Sequence, residues 1–182
     1  MKLKCTGTQT IKTERLVLRR FTESDSNAVF ENWSGSSENS QFVMRYPHKN
    51  TDETRQMISV YVSSYSKPDF YMWAIVYEDK LIGYICGNEI NEDISSICIG
   101  YCISKSFWNK GIATEAAKVV IRYFFDAGFN RVFSYHNPLN PASGKVMQKA
   151  GMIFEGRIRG GSHFAGEICD CLQYSILKSD IL

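Results

Sequence analysis

Hydrophobic and polar positions alternate in some parts of the chain and follow a helical period in others. Residues 13–21 alternate and predict a half-exposed strand. Helices are predicted after Thr22 and after Thr51, because each start combines a capping hydroxyl with acids in the first turn. Beyond Pro68, three apolar runs ending near Ser104 predict an antiparallel meander.

The second half of the chain alternates between strand and helix patterns. From Gly111 to Ala127 the apolar positions follow i, i+3, i+4, i+7 spacing, and Gly128 provides a C-cap. The remaining predicted elements are a strand over Arg131–Tyr135, a helix opened by Asn140 and Pro141, and strands over residues 152–159 and 167–177. The order β α α β β β α β α β β predicts an α+β, or mixed α/β, fold.

Composition narrows the class of protein. The chain has 182 residues, 44% of them hydrophobic, which suits a single domain over residues 1–182. The net charge is only +2 and the basic residues are scattered, so a nucleic-acid partner is not expected. The longest apolar stretch without charge, 94–103, is too short to span a bilayer, and no apolar signal region opens the chain. We expect a cytoplasmic protein without a membrane partner.

The cysteines lack the spacing of a metal site. Two pairs, Cys98/Cys102 and Cys169/Cys171, lie at even spacing in predicted strands, and no Cys-x-x-Cys occurs. We therefore interpret them as packing thiols and expect neither zinc nor disulfides. The oligomeric state is left open, with a dimer among the options.

The stretch FWNKGIATEA, residues 107–116, places a glycine between a strand and a helix. The first amides of such a helix lack intrahelical partners and point together, with the positive end of the helix dipole behind them. Gly111 lets the backbone approach an anion, and Lys110 adds positive charge. Neither the triphosphate-loop pattern nor the dinucleotide-binding glycine pattern is present, so those two nucleotide sites are excluded. The turn alone is weak evidence, because many helices begin after a glycine.

A second motif makes the pattern specific. The segment IGYCISKSFWNKGIATEA, followed by NPASGKVMQKAGMIFEG, resembles the GCN5-related N-acetyltransferase (GNAT) superfamily, in its ribosomal-protein N-acetyltransferase-like (RimJ/RimL-like) branch. TERLVLRRF resembles the opening strand of that branch, so the resemblance covers nearly the whole chain. It implies a mostly antiparallel sheet of about seven strands, splayed at a central parallel pair, with about four helices. It also implies acetyl-CoA as co-substrate.

The resemblance assigns the acyl-CoA site mainly to backbone groups. The backbone of Cys102 and Ile103 would pair with the pantetheine amides, and Asn140 would contact the pantetheine arm. The pyrophosphate would lie in the loop formed by Trp108, Asn109, Lys110, Gly111, Ile112, Ala113 and Thr114.

Catalytic roles are harder to assign. Relatives use a tyrosine near the end of the second notch helix to protonate the thiolate, but this chain has Met147 there. Ser143, in the Asn-x-x-Ser motif, is the alternative acid, and helix capping is an equally good reading of it. Glu89 and His163 are candidate bases, although each also suits ordinary solvent exposure. Relatives carry an acid just before the His163 position, where this chain has Ser162.

The leading hypothesis is an acetyl-CoA-dependent N-acetyltransferase that acts by direct attack. The acceptor would be a protein N-terminal α-amine or a small-molecule amine. The alternative is an acyl-CoA-binding sensor or interaction protein on the same fold, without catalysis.

Overall fold

The computed structural model describes residues 3–42, 46–164 and 167–181, with every side chain among them except that of Phe164. The strands are β1 (Ile11–Lys12), β2 (Leu16–Arg19), β3 (Tyr71–Tyr77), β4 (Lys80–Asn91), β5 (Ser96–Ile103), β6 (Arg131–His136), β7 (Ile153–Phe164) and β8 (Glu167–Leu177). The α-helices are α1 (Ser26–Val29), α2 (Ser37–Ser40), α3 (Thr51–Ser64), α4 (Ile112–Asp126) and α5 (Pro141–Lys149).

One sheet runs through the domain in the order β1-β2-β3-β4-β5-β6-β8-β7. Every neighbouring pair is antiparallel except β5 and β6. The main core lies between the sheet and α4 and α5, and a second core lies under α1 and α3 on the other face. The predicted α+β fold with a central parallel pair is confirmed.

The predicted first strand over residues 13–21 is reduced to β2 (Leu16–Arg19), and β1 (Ile11–Lys12) precedes it outside the predicted range. Residues 13–15 form a turn in which the Thr13 amide donates to the Leu16 carbonyl at 2.9 Å. The Thr13 hydroxyl accepts the Leu16 amide at 2.8 Å. This local hydrogen bonding competes with the ladder. The sheet therefore gains a short edge strand and has eight strands rather than about seven.

The predicted helix after Thr22 is broken into a 3₁₀ turn, α1 and a π-helical turn over Phe30–Ser34. The cause at its start is a contact with β2. The Asp25 carboxylate accepts two hydrogen bonds from Arg19, each 2.8 Å, and one from the Thr22 amide. Helix α2 follows and was not predicted, since its polar residues carry no apolar period.

Gly83 and Gly87 mark close packing, as their position in the predicted strand suggests. A Cβ on Gly83 would collide with the carbonyl oxygen of Cys102 on the neighbouring strand. A Cβ on Gly87 would lie 2.6 Å from the ring of Phe124 in α4. Glycine at these two positions lets β4 lie close to β5 and to the helical layer.

Candidate functional site

The candidate site is a notch between β5 and β6. The two strands pair only from Ser96 to Cys98, opposite Arg131 to Phe133. One position further, the Ser134 hydroxyl donates to the Ile99 carbonyl at 2.7 Å, where a ladder amide would otherwise be expected. Ser134 is buried, so this bond closes the seam, and beyond it the strands diverge.

The backbone of β5 presents alternate residues to this notch. The Ser104 amide donates to the Ile82 carbonyl of β4 at 2.7 Å. Antiparallel ladders alternate, so Cys102 also directs its backbone toward β4, whereas Tyr101 and Ile103 direct theirs toward the notch. The closeness of the Cys102 carbonyl to Gly83 agrees with this direction. This direction favours Tyr101 over Cys102 as the residue that accompanies Ile103 at the notch, and the pairing of Cys102 with pantetheine stays a prediction.

The Ile103 carbonyl already has two hydrogen-bond donors. The Asn39 side-chain amide of α2 donates to it at 2.9 Å, and the Trp108 indole N–H donates at 2.7 Å. A carbonyl oxygen has two lone pairs, so only the Ile103 N–H is left for a ligand. Trp108 thus ties its loop to the end of β5 through its side chain.

The turn before α4 has the predicted geometry for anion binding. Gly111 is the N-cap with φ +75°, and Asn109 also has a positive φ, +61°. The first intrahelical bond runs from the Glu115 amide to the Gly111 carbonyl. The amides of residues 112–114 therefore have no acceptor within the helix. The Lys110 ammonium lies 4.9 Å from the Phe107 ring centroid, which keeps a positive charge beside the turn.

Glu115 attaches the start of α4 to the β1–β2 turn. Its carboxylate accepts hydrogen bonds from the Thr13 hydroxyl at 2.5 Å and from Arg15 Nε at 2.8 Å. Arg15 Nη1 also donates to the Lys110 carbonyl at 3.2 Å. Partial burial acts to raise the pKa of Glu115, but the bonds from Thr13 and Arg15 and the Arg15 charge lower it on balance. The carboxylate stays ionised and holds the Gly111 turn in place.

The opposite wall of the notch is the first turn of α5. The Asn140 side chain caps this helix by accepting the Ser143 amide at 3.3 Å. The capping reading of the Asn-x-x-Ser motif is therefore correct for the Ser143 amide, and it leaves the Ser143 hydroxyl for other contacts. That hydroxyl lies 3.0 Å from the Tyr101 hydroxyl, which also lies 3.0 Å from the Ser143 carbonyl. Met147 is buried in the core at 1% exposure.

Glu89 lies where the β4–β5 ladder becomes irregular, between Asn88 and Asn91, and it has φ +49°. The Tyr135 hydroxyl of β6 donates to its carboxylate at 2.8 Å. Burial and this bond to Glu89 both raise the pKa of Tyr135. Burial, and then the Glu89 charge, raise the pKa of the neighbouring Cys98. The structure thus brings Glu89 to the closed end of the notch, against residues of both strands.

A groove of about 380 Å³ opens beside Glu89, between the start of β3 and the end of β4. Its lining combines apolar side chains with two carboxylates: Asp69, Phe70, Tyr71, Met72, Cys86, Gly87, Asn88, Glu89 and Ile90. The groove therefore gives Glu89 an approach from solvent along β3 and β4.

His163 lies two strands away from β6, the nearer wall of the notch. It lies on β7 opposite Ile168, and β8 separates β7 from β6. Two strand spacings amount to about 10 Å. Within the described ranges, no hydrogen bond or ion pair joins His163 to the notch residues.

Four residues of the site lie outside the sequence-based assignment: Asn39, Tyr101, Ser134 and Tyr135. Tyr101 had a usable signal, because residues two apart on a strand share a direction and Ile103 was already assigned. The other three act through contacts between distant parts of the chain, for which no local pattern exists.

The described ranges lack both a metal-binding cluster and a membrane-spanning helix. No three His, Cys, Asp or Glu side chains among these residues are grouped to hold a metal ion. Each helix in the same ranges is too short or too polar to cross a bilayer.

Comparisons with known proteins agree with this geometry. Residues 15–153 match the family model described as the acetyltransferase (GNAT) domain. The uncharacterized N-acetyltransferase YoaA of Bacillus subtilis (strain 168) is 30% identical over 174 residues, covering 92% of this chain and 96% of the relative. The uncharacterized N-acetyltransferase p20 of Bacillus licheniformis is 27% identical, covering 94% of this chain and 98% of the relative.

Solved structures show the same fold. A GNAT-family acetyltransferase from Bacillus anthracis superposes with a TM-score of 0.82 at 26% identity, covering 94% of this chain and 99% of that one. RimL, a ribosomal L7/L12 alpha-N-protein acetyltransferase in complex with coenzyme A, gives a TM-score of 0.83 at 20% identity, covering 93% and 98%. With a family match over most of its length, the chain belongs to the GNAT family of acetyltransferases.

Proposed function

We propose that this protein transfers an acetyl group from acetyl-CoA to a primary amine by direct attack. The observation that carries the proposal is the divergence of β5 from β6 with the Gly111 turn at its open end. This arrangement would offer the first amides of α4 to an anion and the notch-facing amides of β5 to the rest of the same ligand. The acceptor is a protein N-terminal α-amine or a small-molecule amine.

Three sets of groups in this chain would bind acyl-CoA. The amides of residues 109–114 would hold the pyrophosphate, with Lys110 nearby. The backbone of Tyr101 and the N–H of Ile103 would pair with the pantetheine arm. Asn140 keeps its side-chain N–H groups for the same arm, because only its oxygen caps α5.

The reaction needs a base, an oxyanion donor and an acid. Glu89 takes a proton from the attacking amine through a chain of waters, because it lies beside Cys98, about 10 Å along β5 from Tyr101. The Tyr101 amide, the deeper of the two, donates to the oxyanion of the tetrahedral intermediate, while the Tyr101 carbonyl and the Ile103 N–H stay with the pantetheine arm. Ser143 gives its hydroxyl proton to the departing sulfur and regains a proton from solvent, to which Glu89 releases the proton that it took. His163 is the second candidate base, favoured only by its position near the tip of the β7–β8 hairpin.

The direct test incubates the purified protein with acetyl-CoA and a panel of peptide N-termini and small amines, and measures free thiol. We expect acceptor-dependent thiol release. Calorimetry measures acetyl-CoA binding in parallel. No binding and no turnover would overturn the proposal, whereas tight binding without turnover on any amine would favour an acyl-CoA sensor.

A further inference from the structure

Tyr101 crosses the notch from β5 to α5. Its ring packs against the main core, and its hydroxyl reaches the first turn of the helix. Burial raises the pKa of Tyr101, although the hydrogen bond with Ser143 acts to lower it. The phenol therefore keeps its proton at neutral pH and is available to donate or accept a hydrogen bond.

The Tyr101 and Ser143 hydroxyls have two possible hydrogen-bond arrangements. Tyr101 Oη lies 3.0 Å from the Ser143 carbonyl oxygen, which can only accept, and 3.0 Å from Ser143 Oγ. When Tyr101 donates to the carbonyl, the Ser143 hydroxyl donates back to Tyr101, and its proton points away from any thioester. When Tyr101 donates to Ser143 Oγ, the serine proton is free to point into the notch.

We infer that Tyr101 is a positioning residue that turns the Ser143 hydroxyl proton toward the thioester sulfur. As negative charge develops on the sulfur, the second arrangement is favoured, because both O–H dipoles then point toward that charge. The inference rests on the proposed function, since it concerns the thiolate that Ser143 would protonate. Met147 on α5 cannot donate a proton to the thiolate. In this inference, Tyr101 on β5 supports the serine that donates it instead.

Tyr101→Phe is the direct test, because it removes the hydroxyl and keeps the ring in the core. We expect kcat to fall about tenfold while KM for acetyl-CoA changes less than about twofold, as for a misdirected proton donor. In the Ser143→Ala background the same change should lower kcat no further, since the hydroxyl that Tyr101 positions is gone and only its contact with the backbone carbonyl remains. The inference would be overturned if the two substitutions lowered kcat multiplicatively, or if Tyr101→Phe alone left kcat unchanged.

Tyr174→Phe is the matched control. Tyr174 is also buried, and its hydroxyl accepts from Gln148, further along α5, at 3.4 Å. It has no contact with Ser143 among the described hydrogen bonds. We expect kcat to stay within about twofold of the parent, as for a hydroxyl outside the reaction. Equal losses in both variants would indicate a general loosening of α5 and would count against the inference.

A second readout needs no acceptor. Titration of the thiol of protein-bound CoA, followed by thiolate absorbance, reports how strongly the notch favours the thiolate. We expect Tyr101→Phe to raise the pKa of the bound thiol by about one unit, tenfold in its ionisation constant. Equal thiol pKa values in the two proteins, with normal CoA binding, would overturn this inference alone. Absence of CoA binding in the parent protein would overturn the proposed function together with the inference.

Discussion

The two sides of the notch are built by different means. On the side proposed to bind acetyl-CoA, here called the cofactor side, regular elements meet: the end of β5, a left-handed turn and the first turn of α4, all fixed by Glu115, Arg15 and Trp108. On the side proposed to receive the amine, here called the acceptor side, the chain passes through short helical turns and a bulged β4, and Glu89 takes a positive φ. The first side depends on backbone geometry and the second on individual side chains. Substitutions on the cofactor side should therefore change acetyl-CoA affinity, and substitutions on the acceptor side should change kcat.

Gly111→Asp should have the largest effect, and it tests the cofactor side. It places a side chain at φ +75° and puts negative charge beside the amides proposed to bind the pyrophosphate. We expect acetyl-CoA affinity to fall at least about 100-fold, measured by calorimetry.

Gly128→Asp is the matched control for that change. Gly128 follows the opposite end of the same helix and has φ +99°. It should lower stability but leave acetyl-CoA affinity unchanged. Retained affinity in Gly111→Asp would refute the assignment of this turn to pyrophosphate.

Glu89→Gln should have the next largest effect, and it tests the acceptor side. The amide keeps an oxygen to accept from Tyr135 but cannot serve as a base. We expect kcat to fall about 30-fold with unchanged acetyl-CoA affinity, measured by initial rates and calorimetry. Glu92→Gln, at an exposed site three residues on, should leave both unchanged. Normal kcat in Glu89→Gln would transfer the role of base to another group, with His163 the next to test.

Glu115→Gln should have the smallest effect. Because the folded-state pKa of Glu115 is lowered, its ionised form stabilises the fold above its unfolded pKa of about 4.3, and this stability is lost as pH falls through the folded value. We expect a loss of about 1 kcal/mol at neutral pH, modest because the Arg15 side chain is 40% exposed. The difference between parent and variant should shrink below about pH 4, measured by urea unfolding.

Asp126→Asn provides the comparison for that experiment. Its ion pair with Arg122 lies on the same helix, and both side chains are more than half exposed. Its stability change should be near zero. A difference for Glu115→Gln that persists at low pH would show that its carboxylate charge is not what holds the turn.

The cofactor side is also the part that could be predicted from the sequence. The Gly111 turn, the Asn140 cap and the period of α4 are local patterns, because each depends on residues within a few positions of one another. The sequence could not distinguish which alternate residues of β5 direct their backbone toward the notch. The bond from Ser104 to Ile82 shows that direction, and it joins two strands.

The acceptor side was predicted far less completely, for a physical reason. The Arg19–Asp25 ion pair, the bond from Asn39 to Ile103 and the bond from Tyr135 to Glu89 join segments distant in the chain or shape turns that periodicity does not reveal. These contacts break the first helix, position α2 and locate the carboxylate. The pattern of polar and apolar residues along the chain does not predict these contacts.

The bond from Ser134 to Ile99 has a consequence for the sheet as a whole. Two parallel strands that merely fray could zip together by another pair, since each new pair adds hydrogen bonds. Here the Ile99 carbonyl, which the next rung would use, already accepts from a buried side-chain hydroxyl. Its second lone pair stays open, but an acceptor that already has a donor gains less from a further rung, so a single serine favours the depth at which the two strands stop pairing.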